Sequence, residues 1–116
     1  MSTTEDVLSR HLQAFGDQDM EGIMADYADD AVVVTEQATF RGPDEIRGLF
    51  DELFEEFSKP GMTMGVDTEI VEDDMAYITW HAETADNDYE FATDTFLIED
   101  GEITKQTFAG KITPKA

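Results

Sequence analysis

An α+β fold, with helices first and a curved antiparallel sheet after them, follows from two features of the chain. Apolar residues recur at spacings of three and four as far as Phe57, then at every second position from Thr63 onward. The alternating stretches are separated by turns of two or three acidic, asparagine or glycine residues, short enough to make neighbouring strands antiparallel hairpins. With 116 residues the chain can build one core, so residues 1–116 read as a single domain.

The elements follow in order. Ser2 and Thr3 stand three residues ahead of Glu5 and Asp6, a capping-box pattern that starts a helix. Val7, Leu8, His11, Leu12 and Phe15 share one face of it, and Gly16 ends it. Asp19 caps a second helix whose stripe is Met20, Ile23, Met24 and Tyr27, closed by Asp29-Asp30. Residues 31–35 read as a short buried strand, and Glu36-Gln37 turns it into another at 38–41. Pro43, with Asp44 and Glu45 where the helix dipole favours anions, opens a third helix. Its stripe is Ile46, Leu49, Phe50, Leu53, Phe54 and Phe57, and Lys59-Pro60-Gly61 stops it. Four strands complete the chain at 63–71, 75–85, 89–99 and 102–112. Their turns are Glu72-Asp73-Asp74, Asp86-Asn87-Asp88 and Asp100-Gly101. Helices before a meander of strands place the helices on one face of the sheet.

Composition narrows the function. Apolar residues make up 41% of the chain, enough for a core. Seven Lys and Arg against 28 Asp and Glu give a net charge of −21. That sign argues against binding nucleic-acid phosphates, which needs clustered cations, and against docking on an anionic membrane. The carboxylates are spread along the chain rather than gathered in one site, the pattern of a hydrated surface suited to concentrated salt, so a halophilic source is expected. With no cysteine there is no disulfide or thiolate metal site. The N-terminal residues lack the basic and apolar regions of a signal peptide, and no stretch approaches the roughly 20 apolar residues of a membrane span; a cytoplasmic location is expected.

Four segments carry a family resemblance. Arg10-His-Leu-Gln-Ala-Phe-Gly-Asp-Gln-Asp19 and Asp26-Tyr-Ala-Asp-Asp-Ala-Val-Val-Val34 resemble the first two helices and first strand of SnoaL-like proteins of the NTF2-like superfamily. Phe40-Arg-Gly-Pro-Asp-Glu-Ile-Arg47 resembles the start of their third helix. Thr93-Asp-Thr-Phe-Leu-Ile-Glu-Asp-Gly-Glu-Ile103, with Gln106-Thr-Phe108 after it, resembles their last hairpin. The resemblance implies a cone-shaped barrel, three N-terminal helices packed on a curved antiparallel sheet, with a pocket at the wide end. It also implies a homodimer formed through the outer face of the sheet. It does not single out an activity: ketosteroid isomerases, limonene epoxide hydrolases, polyketide cyclases, dehydratases and non-catalytic members share the scaffold.

Asp94 is the leading candidate for chemistry. It interrupts an apolar strand on the face that carries Ala92, Phe96 and Ile98, and an interior carboxyl needs a partner or a shifted pKa. By resemblance it matches the protonated aspartic acid that donates to the oxyanion in ketosteroid isomerases. His11 falls where those enzymes carry their oxyanion-binding Tyr, and imidazole can donate, accept or shuttle a proton; a satisfied core histidine is the plainer reading. The isomerase's general-base Asp falls at or near Thr35, which cannot abstract a carbon-bound proton, and this argues against steroid isomerisation.

Tyr27, Trp80, Gln106 and Phe108 are candidate ligand contacts, with plain packing as the alternative for each. Trp80 shares a face with Ala76, Ile78 and Ala82, the more apolar side of its strand and therefore the expected cavity side. Asp17-Gln-Asp19-Met-Glu21-Gly22 imitates a calcium loop, but its twelfth position is Ala28, so no metal is expected. Glu52, Glu55 and Glu56 read as the solvated side of the third helix. No cofactor motif is present.

The leading functional expectation is a binding protein for a small hydrophobic molecule. An isomerase-, cyclase- or hydrolase-type enzyme using Asp94 with His11 is one alternative, and a non-catalytic dimerisation module is another. An open cavity with converging Asp94, His11 and Gln106 favours the first two, and one filled by Trp80 and Phe108 favours the third. Asp94 is expected to face the interior within reach of His11. Contact would lower the carboxyl's pKa; a remote His11 would leave it raised and a neutral donor.

Overall fold

The computed structural model describes residues 3–115. Helix α1 (Thr4–Gly16) begins in a full capping box: Thr3 Oγ1 accepts from the Asp6 amide and Asp6 Oδ2 accepts from the Thr3 amide, both at 3.1 Å. The part of the expected cap that falls on Ser2 lies outside the described residues. Helix α2 (Met20–Ala25) is capped by Asp19, whose Oδ1 accepts from the Gly22 amide. It is shorter than the spacing of its apolar residues predicts. Tyr27, Asp29 and Asp30 belong instead to strand β1 (Tyr27–Val34). The backbone leaves the helix because the Asp26 carbonyl accepts from the Ile103 amide at 2.7 Å, which starts sheet pairing at Tyr27.

Strand β2 (Thr39–Arg41) leads into α3 (Gly42–Phe57), with a positive φ of 81° at Gly42 where only glycine turns freely. Helix α3 buries Ile46, Phe50 and Phe57 against the sheet, each apolar side chain contributing on the order of 2 kcal/mol. Strands β3 (Thr63–Glu72), β4 (Met75–Glu83), β5 (Asn87–Glu99) and β6 (Glu102–Pro114) follow as consecutive hairpins.

The sheet order is β2-β1-β6-β5-β4-β3. Every pair is antiparallel except β1 with β6, where Val33 lies opposite Gln106 in a parallel register. The expected antiparallel barrel is thus an open, mixed sheet of six strands, with β2 and β3 at its edges. The reason is long-range: the first strand comes back to lie beside the last. Register shifts at Val66/Thr68, Trp80/Ala82 and Tyr89/Phe91 bend three of the four hairpin strands, β3, β4 and β5. The inner face carries Ala76, Ile78, Trp80, Ala92, Asp94, Phe96 and Gln106, all buried under α1 and α3. Ile70, Met75 and Phe91 are exposed.

Candidate functional site

A cavity of about 360 Å³ lies between the inner sheet face and helices α1 and α3. Its walls are largely apolar: Leu12 and Phe15 from α1, Leu49, Phe50 and Leu53 from α3, and Ile78, Phe96 and Phe108 from the sheet. These elements place apolar stripes toward one another but stop short of filling the space, because the bent sheet draws away from the helices. Trp80 and Phe108 lie along the wall with ring centroids 6.0 Å apart, so they line the cavity without closing it. Polar groups on this surface include His11, Asp94 and Gln106. Thr35 also lines it, but its hydroxyl is engaged with the Ala38 carbonyl.

Asp94, in the middle of β5, is 8% exposed. Its two oxygens accept from Trp80 Nε1 at 2.8 Å and from Gln106 Nε2 at 3.0 Å, one donor from each neighbouring strand. Loss of hydration raises its pKa to about 6, against the pull of these two hydrogen bonds. The carboxyl therefore exchanges its proton close to neutrality.

His11 is 4% exposed and belongs to a different cluster. Its Nδ1 lies 3.1 Å from Asp26 Oδ2, and Arg10 Nε donates to Asp26 Oδ1 at 2.7 Å. Asp26, fully buried, thus orients the ring so that Nδ1 carries the proton and Nε2 points inward. Nε2 lies 3.4 Å from the Tyr27 hydroxyl, which donates to Gln106 Oε1. The expected direct contact between Asp94 and His11 is replaced by a chain through Tyr27 and Gln106. The alternation and the helical stripe do turn both residues inward, but the Gln106 amide occupies the space between them. Of the two pKa directions, the structure gives the one expected for a remote histidine.

Tyr27 is not on a helix and does not line the cavity; it stands behind the wall as the link between His11 and Gln106. Burial, with the carboxylates of Asp94 and Asp26 nearby, holds its hydroxyl well above the ordinary phenol range, so it stays a donor. Arg10 and Asp26 were not singled out from the sequence. The available signal was Arg10, one of only seven cations, beside an apolar helical stripe. Glu56 is likewise not simply solvated: its carboxylate accepts from Thr84, Asn87 and Tyr89, tying α3 to the β4–β5 turn. Among the described residues no group of three or more His, Asp or Glu side chains is arranged to hold a metal ion.

A bent open sheet with helices over one face, and an apolar cavity with a few buried polar groups, define an NTF2-like α+β protein. The chain belongs to the SnoaL-like domain family, whose model matches residues 8–106. Solved structures share the fold. A provisionally named ketosteroid isomerase from Kribbella flavida is similar at TM-score 0.78 and 14% identity, over 97% of this chain and 81% of that one. A provisionally named polyketide cyclase from Sinorhizobium meliloti gives TM-score 0.75 and 20% identity, over 89% and 93%. TerC, co-crystallized with polyporic acid, gives TM-score 0.76 and 16% identity, over 95% and 92%. Comparison with curated protein sequences finds no match.

Proposed function

We propose that the protein binds a small, mainly apolar molecule in this cavity, with Trp80 and Phe108 against its flat surface and Asp94, Gln106 and His11 at its polar end. The carrying observation is the pairing of an apolar cavity with the buried Asp94 carboxyl on its wall, held between two donors. A carboxyl placed this way can accept from a ligand hydroxyl when ionised and donate to a ligand carbonyl when protonated. The structural similarity to TerC, which was co-crystallized with polyporic acid, is in keeping with this reading.

Trp80 is the only tryptophan, so its fluorescence is a clean reporter. Titration with neutral bicyclic and tricyclic ketones and phenols should change it saturably. Leu53→Phe, which takes up cavity space without adding a second indole, should weaken the effect while the circular dichroism spectrum is kept. No saturable response to any such probe up to its solubility limit would refute the binding reading.

Acid–base catalysis of an isomerisation, cyclisation or hydrolysis, with Asp94 as acid and His11 Nε2 as base, is the second reading. The observation favouring it is that Asp94 and His11 both line the cavity, where burial raises the carboxyl's pKa to about 6. It predicts deuterium exchange at carbon next to the carbonyl of a bound ketone, lost in both Asp94→Asn and His11→Gln.

A further inference from the structure

We propose that Gln106 is a positioning residue whose amide, by the way it faces, links the ionisation of Asp94 to the hydrogen bond received by His11, with Tyr27 as the intermediate. Trp80 Nε1 can only donate, and Tyr27 has one hydroxyl proton. In the observed orientation Gln106 donates to Asp94 Oδ1 and accepts from Tyr27, which suits an ionised carboxyl. The Tyr27 proton is then committed to Gln106, and its oxygen presents only lone pairs to His11 Nε2 at 3.4 Å.

Protonating Asp94 upsets this arrangement. A proton on Oδ1 would face the Gln106 amide donor, and Oδ2 is already taken by Trp80. Turning the amide end for end removes the conflict with almost no change of volume, since its oxygen and nitrogen are nearly equal in size. Gln106 Oε1 then accepts from Asp94 and Nε2 donates to the Tyr27 oxygen. The Tyr27 proton turns to the remaining acceptor within reach, His11 Nε2. Because Asp26, itself held by Arg10, takes the opposite edge of the ring at Nδ1, Nε2 is the nitrogen that gains this hydrogen bond. The chain has two self-consistent states, and each joins one form of Asp94 to one environment of His11.

The titratable groups packed around the chain come from several elements. They are Arg10 and His11 of α1, Asp26 after α2, Tyr27 of β1 and Asp94 of β5, together with Glu52 of α3 at the cavity and Glu56 of α3 on Tyr89. Asp94 is the one whose proton exchange near neutrality touches Gln106 directly. The link operates in the empty protein and stands or falls apart from the ligand-binding reading.

The test follows the histidine side-chain nitrogens and the Trp80 indole N–H by 15N NMR across about pH 4.5 to 8, without ligand. The Trp80 signal reports Asp94 directly. His11 Nε2 should show a step at the Trp80 midpoint. In Tyr27→Phe the Trp80 step should remain and the His11 step should vanish. A wild-type His11 signal with no inflection at the Trp80 midpoint overturns the proposal without recourse to any variant. So does a His11 step that survives Tyr27→Phe.

Discussion

Asp94 shows how a single residue couples burial to pH. Its folded pKa, about 6, lies above the ordinary 3.8, so the folded state holds this proton more tightly than the unfolded chain. Its contribution to stability is therefore fully present below about pH 4 and is lost as pH rises through about 6, amounting to about 3 kcal/mol. Asp94→Asn keeps the shape and removes the titration, with the Gln106 amide turned to receive the new donor. At about pH 8 the variant should equal or exceed the wild type in urea denaturation, and the advantage should shrink toward about pH 4. A variant less stable than wild type by the same amount at every pH would show that the carboxylate is held without penalty. The position was legible in the sequence because a strand has only two faces, and the neighbours of Asp94 at two-residue spacing are apolar. The partner was not: strand alternation tells which way a side chain points, while Trp80 and Gln106 come from pairings 14 and 12 residues away.

The elements divide in the same way. Helix α3 and the β5–β6 turn were readable because their causes are local. Pro43 and the acidic first turn start the helix, and Asp100-Gly101 both take positive φ, as a two-residue hairpin turn needs. Helix α2 was misread because Met20, Ile23, Met24 and Tyr27 fit a helical stripe, although the backbone after Ala25 is claimed by Ile103. What fixes that junction is Asp26, buried and gripped by Arg10 and His11 from α1. Asp26→Ala would strand the His11 Nδ1 proton in the core, and should cost about 2–4 kcal/mol by chemical denaturation. Asp26→Asn, which still accepts from His11, should recover part of that loss. Equal losses for the two variants would mean that shape rather than hydrogen bonding matters at the junction. A second cross-element tie is Glu56, which satisfies Thr84, Asn87 and Tyr89 together. Glu56→Ala should cost about 2–3 kcal/mol and loosen amide protection at the β4–β5 turn first, as measured by hydrogen exchange.

At the scale of the whole molecule, charge and the uncovered sheet face act together. The radius of gyration is 13.6 Å and the net charge is −21. In roughly 0.01 M salt the screening length, about 30 Å, exceeds that radius, so each carboxylate is repelled by most of the others; near 1 M it falls to about 3 Å. Folding should strengthen over that range, and a melting temperature that is flat or falls would remove the case for a salt-adapted surface. The same repulsion governs self-association. On the outer face Ile70, Tyr77, Thr95 and Thr107 form one cross-strand row, and Thr68, Thr79, Thr93 and Ala109 form the next. Neither row carries a carboxylate, in a chain with 28 of them. A second copy related by a two-fold axis can cover these rows, provided that salt screens the charge each subunit brings. Light scattering at micromolar concentration should therefore give a mass of twice 13.0 kDa in about 1 M salt and a shift toward monomer at about 0.05 M. Thr95→Asp places a carboxylate in the middle of the first row, and a two-fold axis sets it near its own copy. The variant should remain monomeric at high salt with its circular dichroism unchanged, whereas a wild type that is monomeric at every salt concentration would leave the outer face without a partner of its own kind.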